Sequence, residues 1–186
     1  MKRRGWFITQ RQDGERTLEE QMLGLEPLLA EVKGKRVTDL GCAEALIAIE
    51  VAKAGAAIVN GVETIMAHVV AAREFANGYP VRVHHLNLNY AEALEVVRGF
   101  KADITLMLAV LHKLHDPALV LEVLARATGE LAVIRLPHGS EGAFSSKHVK
   151  AAVCDVRGIM PRAGFHLERS ERGPREEIVQ YWRRTR

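Results

Sequence analysis

Asp39, Gly41 and Glu63 are the residues whose types and spacing point to chemistry. They lie in VTDLGCAEALIAIEVAKAGAAIVNGVE, residues 37–63. An apolar run ends in Asp39, one glycine follows, and a helix is expected to begin beside Glu44. This is the outline of a nucleotide-binding turn. A dinucleotide site, however, uses G-x-G-x-x-G and rests a pyrophosphate on the helix N-terminus. The corresponding run here is GCAEAL, which lacks the second and third glycines and puts Glu44 where the phosphate charge would sit. Two unit charges about 4 Å apart repel by roughly 4 kcal/mol at an effective dielectric of about 20. A nicotinamide or flavin dinucleotide is therefore a poor fit.

Two further segments carry reactive side chains. LHKLHDP, residues 111–117, places His112, Lys113 and His115 directly after the most apolar stretch of the chain. They could present a base or a binding face; equally, His112 could only hydrogen-bond its own loop. IRLPHGSEGAFSSKHVK, residues 134–150, gathers Arg135, His138, Ser145, Lys147 and His148 into a basic, polar mouth that would steer a negatively charged partner. The plainer reading is an exposed loop. Cys42 and Cys154 are far apart and have no metal-ligand spacing. His68, His84 and His85 read as ordinary helix and strand residues. The histidines form no H-E-x-x-H pattern, and no metal is predicted.

The elements that must hold these residues follow from periodicity. Thr17 with Glu20 is a capping box, opening a helix over 17–32 that Pro27 kinks or divides. Strands are expected at 35–40, 56–63, 81–88, 102–111 and 130–137. Helices are expected between them, at 43–55, 64–78, 91–99 and 117–129. A further helix is expected over 146–164, weakened by Gly158 and Pro161, and then an antiparallel hairpin made of FHLERSERG and EEIVQYWRR. Strands alternating with helices predict an α/β domain with a mostly parallel sheet and helices on both faces. Ligands of such sheets sit beyond the carboxyl ends of the strands, so the loop at Gly41 is the first place to look. Gly41 would let backbone and ligand approach closely.

A nucleoside with no phosphate and a positive centre suits that turn. S-adenosylmethionine is such a molecule: its sulfonium is cationic, and its ammonium would be drawn to Asp39 or Glu44. Glu63, 24 residues beyond Asp39, ends the second strand, where an acid can accept both ribose hydroxyls.

VTDLGCAEA, the terminal acid of VNGVE, HHLNLNYAEAL and ADITLMLAVLHKLHDP together resemble successive motifs of class I S-adenosylmethionine-dependent methyltransferases. The resemblance spans roughly residues 35 to 183. It implies a Rossmann-like seven-stranded sheet of order 3-2-1-4-5-7-6, the last-formed strand antiparallel, and S-adenosylmethionine as cofactor. Asp39 would orient the loop or approach the methionine amine, Gly41, Cys42 and Ala43 would offer backbone contacts, and Glu63 would bind the ribose. Asn87 falls where the family usually has an acid for the adenine amino group; its carbonyl keeps an acceptor. Leu88 would cover the adenine or offer its N–H, and Ala109 and Val110 would lie beneath the methionine moiety. His112 is the candidate base, and Lys113, His115, Arg135, His138 and Lys147 are candidate contacts to the methyl acceptor. Ala45 and Ala43 stand where the family often has glycine.

The chain's 186 residues, 48% apolar and 26% charged, describe an ordinary globular protein. One domain over 1–186 is expected, with a core at 35–183 and residues 1–34 as a helical extension or lid; Trp6 or Phe7 would pack on the ligand or, in the plainer reading, form a staple on the outside of the core. No run of about 18 apolar residues suggests a membrane span, and no secretory signal is read, so the cytoplasm is the expected setting. The net charge of +3, with MKRR and YWRRTR at the ends, permits a nucleic-acid partner without demanding one. This leaves a second reading: a non-catalytic module of the same fold that binds nucleic acid or a protein. The methyl acceptor and the oligomeric state are not legible.

Overall fold

The computed structural model describes residues 17–140, 143–145, 147 and 153–185. Residues 1–16 of the expected extension or lid, with Trp6 and Phe7, and also His148, lie outside the described residues. Seven strands form the central sheet: β1 (Arg36–Leu40), β2 (Ile58–Glu63), β3 (Val81–His85), β4 (Ile104–Leu108), β5 (Leu131–Leu136), β8 (Phe165–Arg172) and β9 (Ile178–Arg184). Their order is β3-β2-β1-β4-β5-β9-β8. Numbered within this sheet alone, that is 3-2-1-4-5-7-6, the order the resemblance implied. β9 runs antiparallel to both β5 and β8, and the other pairings are parallel.

Two short strands, β6 (Ala143–Ser145) and β7 (Val153–Asp155), form a separate antiparallel ribbon. This corrects the helix expected over 146–164. Among the described residues of that span, only α7 (Val156–Arg162) is helical. It begins where the Asp155 carboxylate accepts the Gly158 N–H at 3.0 Å, and Val153 and Cys154, residues suited to strands, pair with the ribbon instead. The helix expected over 17–32 is divided into α1 (Leu18–Met22) and α2 (Glu26–Glu31). Gly24, at φ +78°, turns the chain between them, and Pro27 sits in the first turn of α2, where its missing N–H costs nothing.

The remaining helices are α3 (Leu46–Lys53), α4 (Met66–Phe75), α5 (Ala91–Gly99) and α6 (Pro117–Ala127). Alternate residues of each strand feed two cores. Met107, Ile134 and Leu136 pack under α5, α6 and α7, while Val37, Leu106, Leu108 and Val133 pack under α2 and α3. All five residues of β4 are buried, as expected of a central strand covered on both faces. The order of connections reverses between β1 and β4. The crevice above their carboxyl ends is thus the topological switch point, the favoured ligand position in such sheets. Among the described residues no helix is long and apolar enough to cross a membrane.

Candidate functional site

The elbow after β1 is the floor of the site. Gly41 adopts φ +73°, and a Cβ built there would lie 2.9 Å from Val110 Cγ2. Bare backbone is needed both for the turn and for the approach of Val110. The Gly41 and Cys42 N–H groups donate to the Val62 carbonyl at 2.8 and 3.0 Å, which ties the elbow to β2. Ala43 and Ala45 also have positive φ, 49° and 63°. The chain keeps the left-handed backbone that glycine would favour and bears the side-chain strain, so α3 starts only at Leu46. Cys42 is buried, and burial first, then the nearby Asp39 and Glu63 carboxylates, push its thiol well above the usual range.

Ala109, after β4, is likewise left-handed at φ 54° and only half-buried. Ala109→Gly should therefore relieve strain of about 1 kcal/mol and raise the melting temperature by about 2–4 °C. A thermal melt no higher than that of the parent would show that the alanine is unstrained.

Two cavities open from this elbow and share Gly41 and Ala109. The larger, about 140 Å³, is walled by Val62, Glu63, Leu86, Asn87, Leu88 and Val110, with His68, Asn89, Lys113 and Leu114 around it. Glu63 is buried at its edge. Its Oε1 accepts the Thr64 and Ile65 N–H groups, each at 2.8 Å, and Oε2 accepts the Ala43 N–H at 3.0 Å. A carboxylate offers about four acceptor positions. Three are taken by backbone, which leaves room for one hydroxyl at Oε2 rather than two.

Asn87 differs from expectation in the same way. Its Oδ1 accepts both the Asn89 N–H and the Asn89 Nδ2, each at 3.0 Å. The carbonyl is therefore engaged, and the group Asn87 retains for a ligand is its amide donor. The Asn89 Oδ1 in turn accepts the His115 N–H at 2.8 Å, pinning the loop after β4 to the loop after β3. His115 itself is exposed and lines neither cavity.

His68 lines the larger cavity, though its helical setting suggested an ordinary role. Its Nδ1 is buried with no hydrogen-bond partner among the described residues. One signal pointed to it: His68 lies in the first turn of the helix that follows Glu63, at the ligand end of the sheet.

The smaller cavity, about 30 Å³, is lined by Asp39, Arg135, Gln21, Cys42, Ala43 and Leu108 among others. Asp39 is 2% exposed. Burial pushes its carboxyl up to about 7, with the Arg135 guanidinium pulling down against it and Glu63 pushing up. Arg135 is not at a solvent-facing mouth. It is 4% exposed, donates from Nη2 to the Gln21 carbonyl at 2.6 Å, and lies 3.9 Å from Glu177 through Nε.

His112 falls in a short 3₁₀ turn, Leu111–Lys113, and lines neither cavity. Its ring meets Phe144 edge-on, 6.4 Å between centroids, and its carbonyl accepts the Lys147 N–H at 2.8 Å. Burial first, then the charges of Lys147 and Lys113, lower the imidazole to about 4. Lys147 is exposed. His138 is exposed too, 3.6 Å from Glu176, away from the larger cavity. Among the described residues no three His, Cys, Asp or Glu side chains cluster as a metal site.

The sequence matches no protein-family model, and no curated protein is significantly similar to it. The fold, by contrast, has many solved counterparts. A methyltransferase dependent on S-adenosylmethionine from Mesorhizobium loti superposes with a TM-score of 0.67 at 16% identity, covering 90% of this chain and 100% of that one. Magnesium protoporphyrin IX methyltransferase from Synechocystis PCC 6803, with bound SAH, gives 0.69 at 19% identity, covering 90% and 84%. A SAM-dependent methyltransferase from Aquifex aeolicus gives 0.64 at 18% identity, covering 91% and 94%. The chain has the class I methyltransferase fold.

Proposed function

We propose that this chain is an S-adenosylmethionine-dependent methyltransferase. One observation carries the reading: Glu63, buried at the end of β2, shares a single cavity with the bare elbow at Gly41 and with Asn87 and Leu88 on the neighbouring loop. An acid at the end of the second strand suits a ribose, and an elbow flanked by Asp39 and Glu63 suits a ligand that carries positive charge rather than phosphate.

The residues present fit that cofactor, with two adjustments. Glu63 would take one ribose hydroxyl, since its other acceptor positions are held by backbone N–H groups. Asn87 would donate to a ring nitrogen of the adenine, since its carbonyl is occupied by Asn89. Leu88 and Val110 would pack on the base and on the sulfur-bearing chain, with Gly41, Cys42, Ala43 and Ala109 supplying backbone around them. Asp39 would meet the ammonium. When bound, S-adenosylmethionine supplies a methyl group already activated by its sulfonium. The protein then has to place the acceptor in line and exclude water, and orientation of this kind is worth about 7–11 kcal/mol in favourable cases. Calorimetry with S-adenosylhomocysteine tests the reading. Binding is expected, and no heat at millimolar ligand would overturn it.

The acceptor enters from the side of Lys113, His115 and Lys147, whose basic character favours an anionic group or a compact acidic site on a macromolecule. His112 stands outside the reacting centre. An imidazole held near 4 is a weak proton acceptor, and it is already neutral above pH 5. Its titration should add no rising limb to the rate between pH 5 and 8. His112→Gln is expected to keep kcat within about threefold, well short of the hundredfold or more that loss of a general base costs. A fall of that larger size would return His112 to the base's role.

A further inference from the structure

The geometry points to the outer edge of β8 as a contact surface for a second copy of this chain, the two strands pairing antiparallel about Ser170 so that Arg169 of each copy meets Glu171 of the other. The inference goes beyond the functional reading above and does not depend on it, because β5 and β9 separate β8 from β4 and the crevice beside it.

β8 is the longest strand of the sheet, and among the described residues it pairs on one side only, with β9. An edge strand presents a row of N–H and C=O groups that a further strand can take up. Proteins usually blunt such edges by keeping them short, by placing lysine or proline on them, or by bulging them. β3, at the opposite edge, has 5 residues, whereas β8 has 8 and carries neither lysine nor proline in FHLERSER. The bulge in β8 falls between Leu167 and Arg169 and leaves Arg169–Arg172 in regular register with β9. That stretch is therefore still able to accept a partner strand.

The charges along β8 indicate which strand fits. Glu168 is held by Arg183 at 2.9 Å, and Arg172 by Glu176 at 3.2 Å. Arg169 and Glu171 form no ion pair among the described residues. They stand in register with Tyr181 and Val179 of β9, which belong to one core, so both project on the same face of the sheet. Arg169 is exposed and Glu171 half-buried. Opposite charges two apart on one face are self-complementary about a two-fold axis through the residue between them. With Ser170 on that axis, Arg169 lies opposite Glu171 of the second copy, and Glu171 opposite its Arg169. Other registers set like charges together. Centring on Arg169 opposes the two arginines, centring on Glu171 opposes the two acids, and centring between Ser170 and Glu171 opposes Arg169 and Arg172. Opposite charges facing across paired strands stabilise the pairing and like charges destabilise it. The edge thus favours its own copy in a single register.

Sedimentation velocity from about 10 to 500 µM protein tests the pairing, a range suited to a weak contact smaller than about 1,200 Å². A monomer–dimer equilibrium is expected, and raising the salt from about 0.1 to 0.5 M should weaken it because exposed charges are screened. Glu171→Arg and Arg169→Glu should each weaken self-association about tenfold or more, since the two-fold axis repeats every like-charge contact. Mixing the two single variants should restore a dimer, now of unlike chains. The double variant Arg169→Glu/Glu171→Arg should associate within about threefold of the parent, because both pairs re-form with their signs exchanged. Arg169 is exposed, so Arg169→Glu should melt within about 2 °C of the parent, and it serves alone if Glu171→Arg does not fold. A parent that stays monomeric over the whole range would overturn the inference. So would a dimer that the single variants form as tightly as the parent, which would place the contact elsewhere on the surface.

Discussion

Glu63→Ala is expected to weaken S-adenosylhomocysteine binding tenfold or more and to lower the melting temperature by about 4–8 °C. Two separate losses produce this. The carboxylate is the acceptor for three backbone N–H groups, from Ala43, Thr64 and Ile65. An orphaned donor that is buried costs about 1–3 kcal/mol, and a loss of about 2 kcal/mol corresponds to about 4–8 °C in a chain of this size. The second loss is the proposed contact to the ribose. Glu63→Gln helps to separate them. It keeps an acceptor for Thr64 and Ile65 but sets a donor against the Ala43 N–H, so its stability should be intermediate. Calorimetry and thermal melts on both variants provide the check. Undiminished affinity in Glu63→Ala would remove the carboxylate from the ligand site and leave it a purely structural brace between the elbow and β2.

Gly41→Ala should be the most damaging small substitution in the elbow. The residue sits at φ +73°, where a side chain costs about 1–2 kcal/mol. The new Cβ would also lie 2.9 Å from Val110 Cγ2 and 3.1 Å from Val110 Cβ. Val110 is buried and must yield towards the larger cavity, so stability should fall by about 2–4 kcal/mol in all. Ligand affinity should fall by about a hundredfold, the scale of a misplaced site wall. Adding Val110→Ala should relieve the clash but not the backbone strain. The double variant is expected to melt between Gly41→Ala and the parent, after allowance for the cost of Val110→Ala alone. If it melts no higher than Gly41→Ala, the close approach of Val110 does not set the requirement for glycine.

Several elements were legible because their signals are local. The capping box at Thr17 and Glu20 forms as read, with the Glu20 N–H reaching Thr17 Oγ1 at 3.1 Å and the Thr17 N–H reaching Glu20 Oε2 at 2.7 Å. The apolar run at Ile104–Leu108 is the fully buried central strand. The alternation of strands and helices gave a parallel sheet, and the motif resemblance gave its order. Helix and strand ends were less legible. The helix expected from Ala43 starts at Leu46 because Ala43 and Ala45 take a left-handed backbone that their own residue type disfavours. Val153–Asp155, expected to be helical, pair instead with Ala143–Ser145 as a ribbon, a contact across the sequence that no short window contains.

The site divides along the same line. Asp39, Gly41 and Glu63 could be picked out from residue type at strand ends and a turn, because a parallel sheet places such positions at its ligand edge whatever the rest of the chain does. Hydrogen-bond capacity was not readable. The Asn87 carbonyl and most of the Glu63 acceptor positions are used by backbone that folds back on them. Nor was the fate of the basic residues. Arg135 read as part of an exposed mouth but is buried and lines the smaller cavity with Asp39, His112 faces Phe144, and His68 borders the larger cavity. By itself the sequence determined the fold class and the acids that edge the crevice, since periodicity and strand-end position are properties of the chain taken a few residues at a time. Only the tertiary structure decided which charges meet, because Asp39 and Arg135 become neighbours through the placing of β4 between β1 and β5 and the parity of side chains across three paired strands.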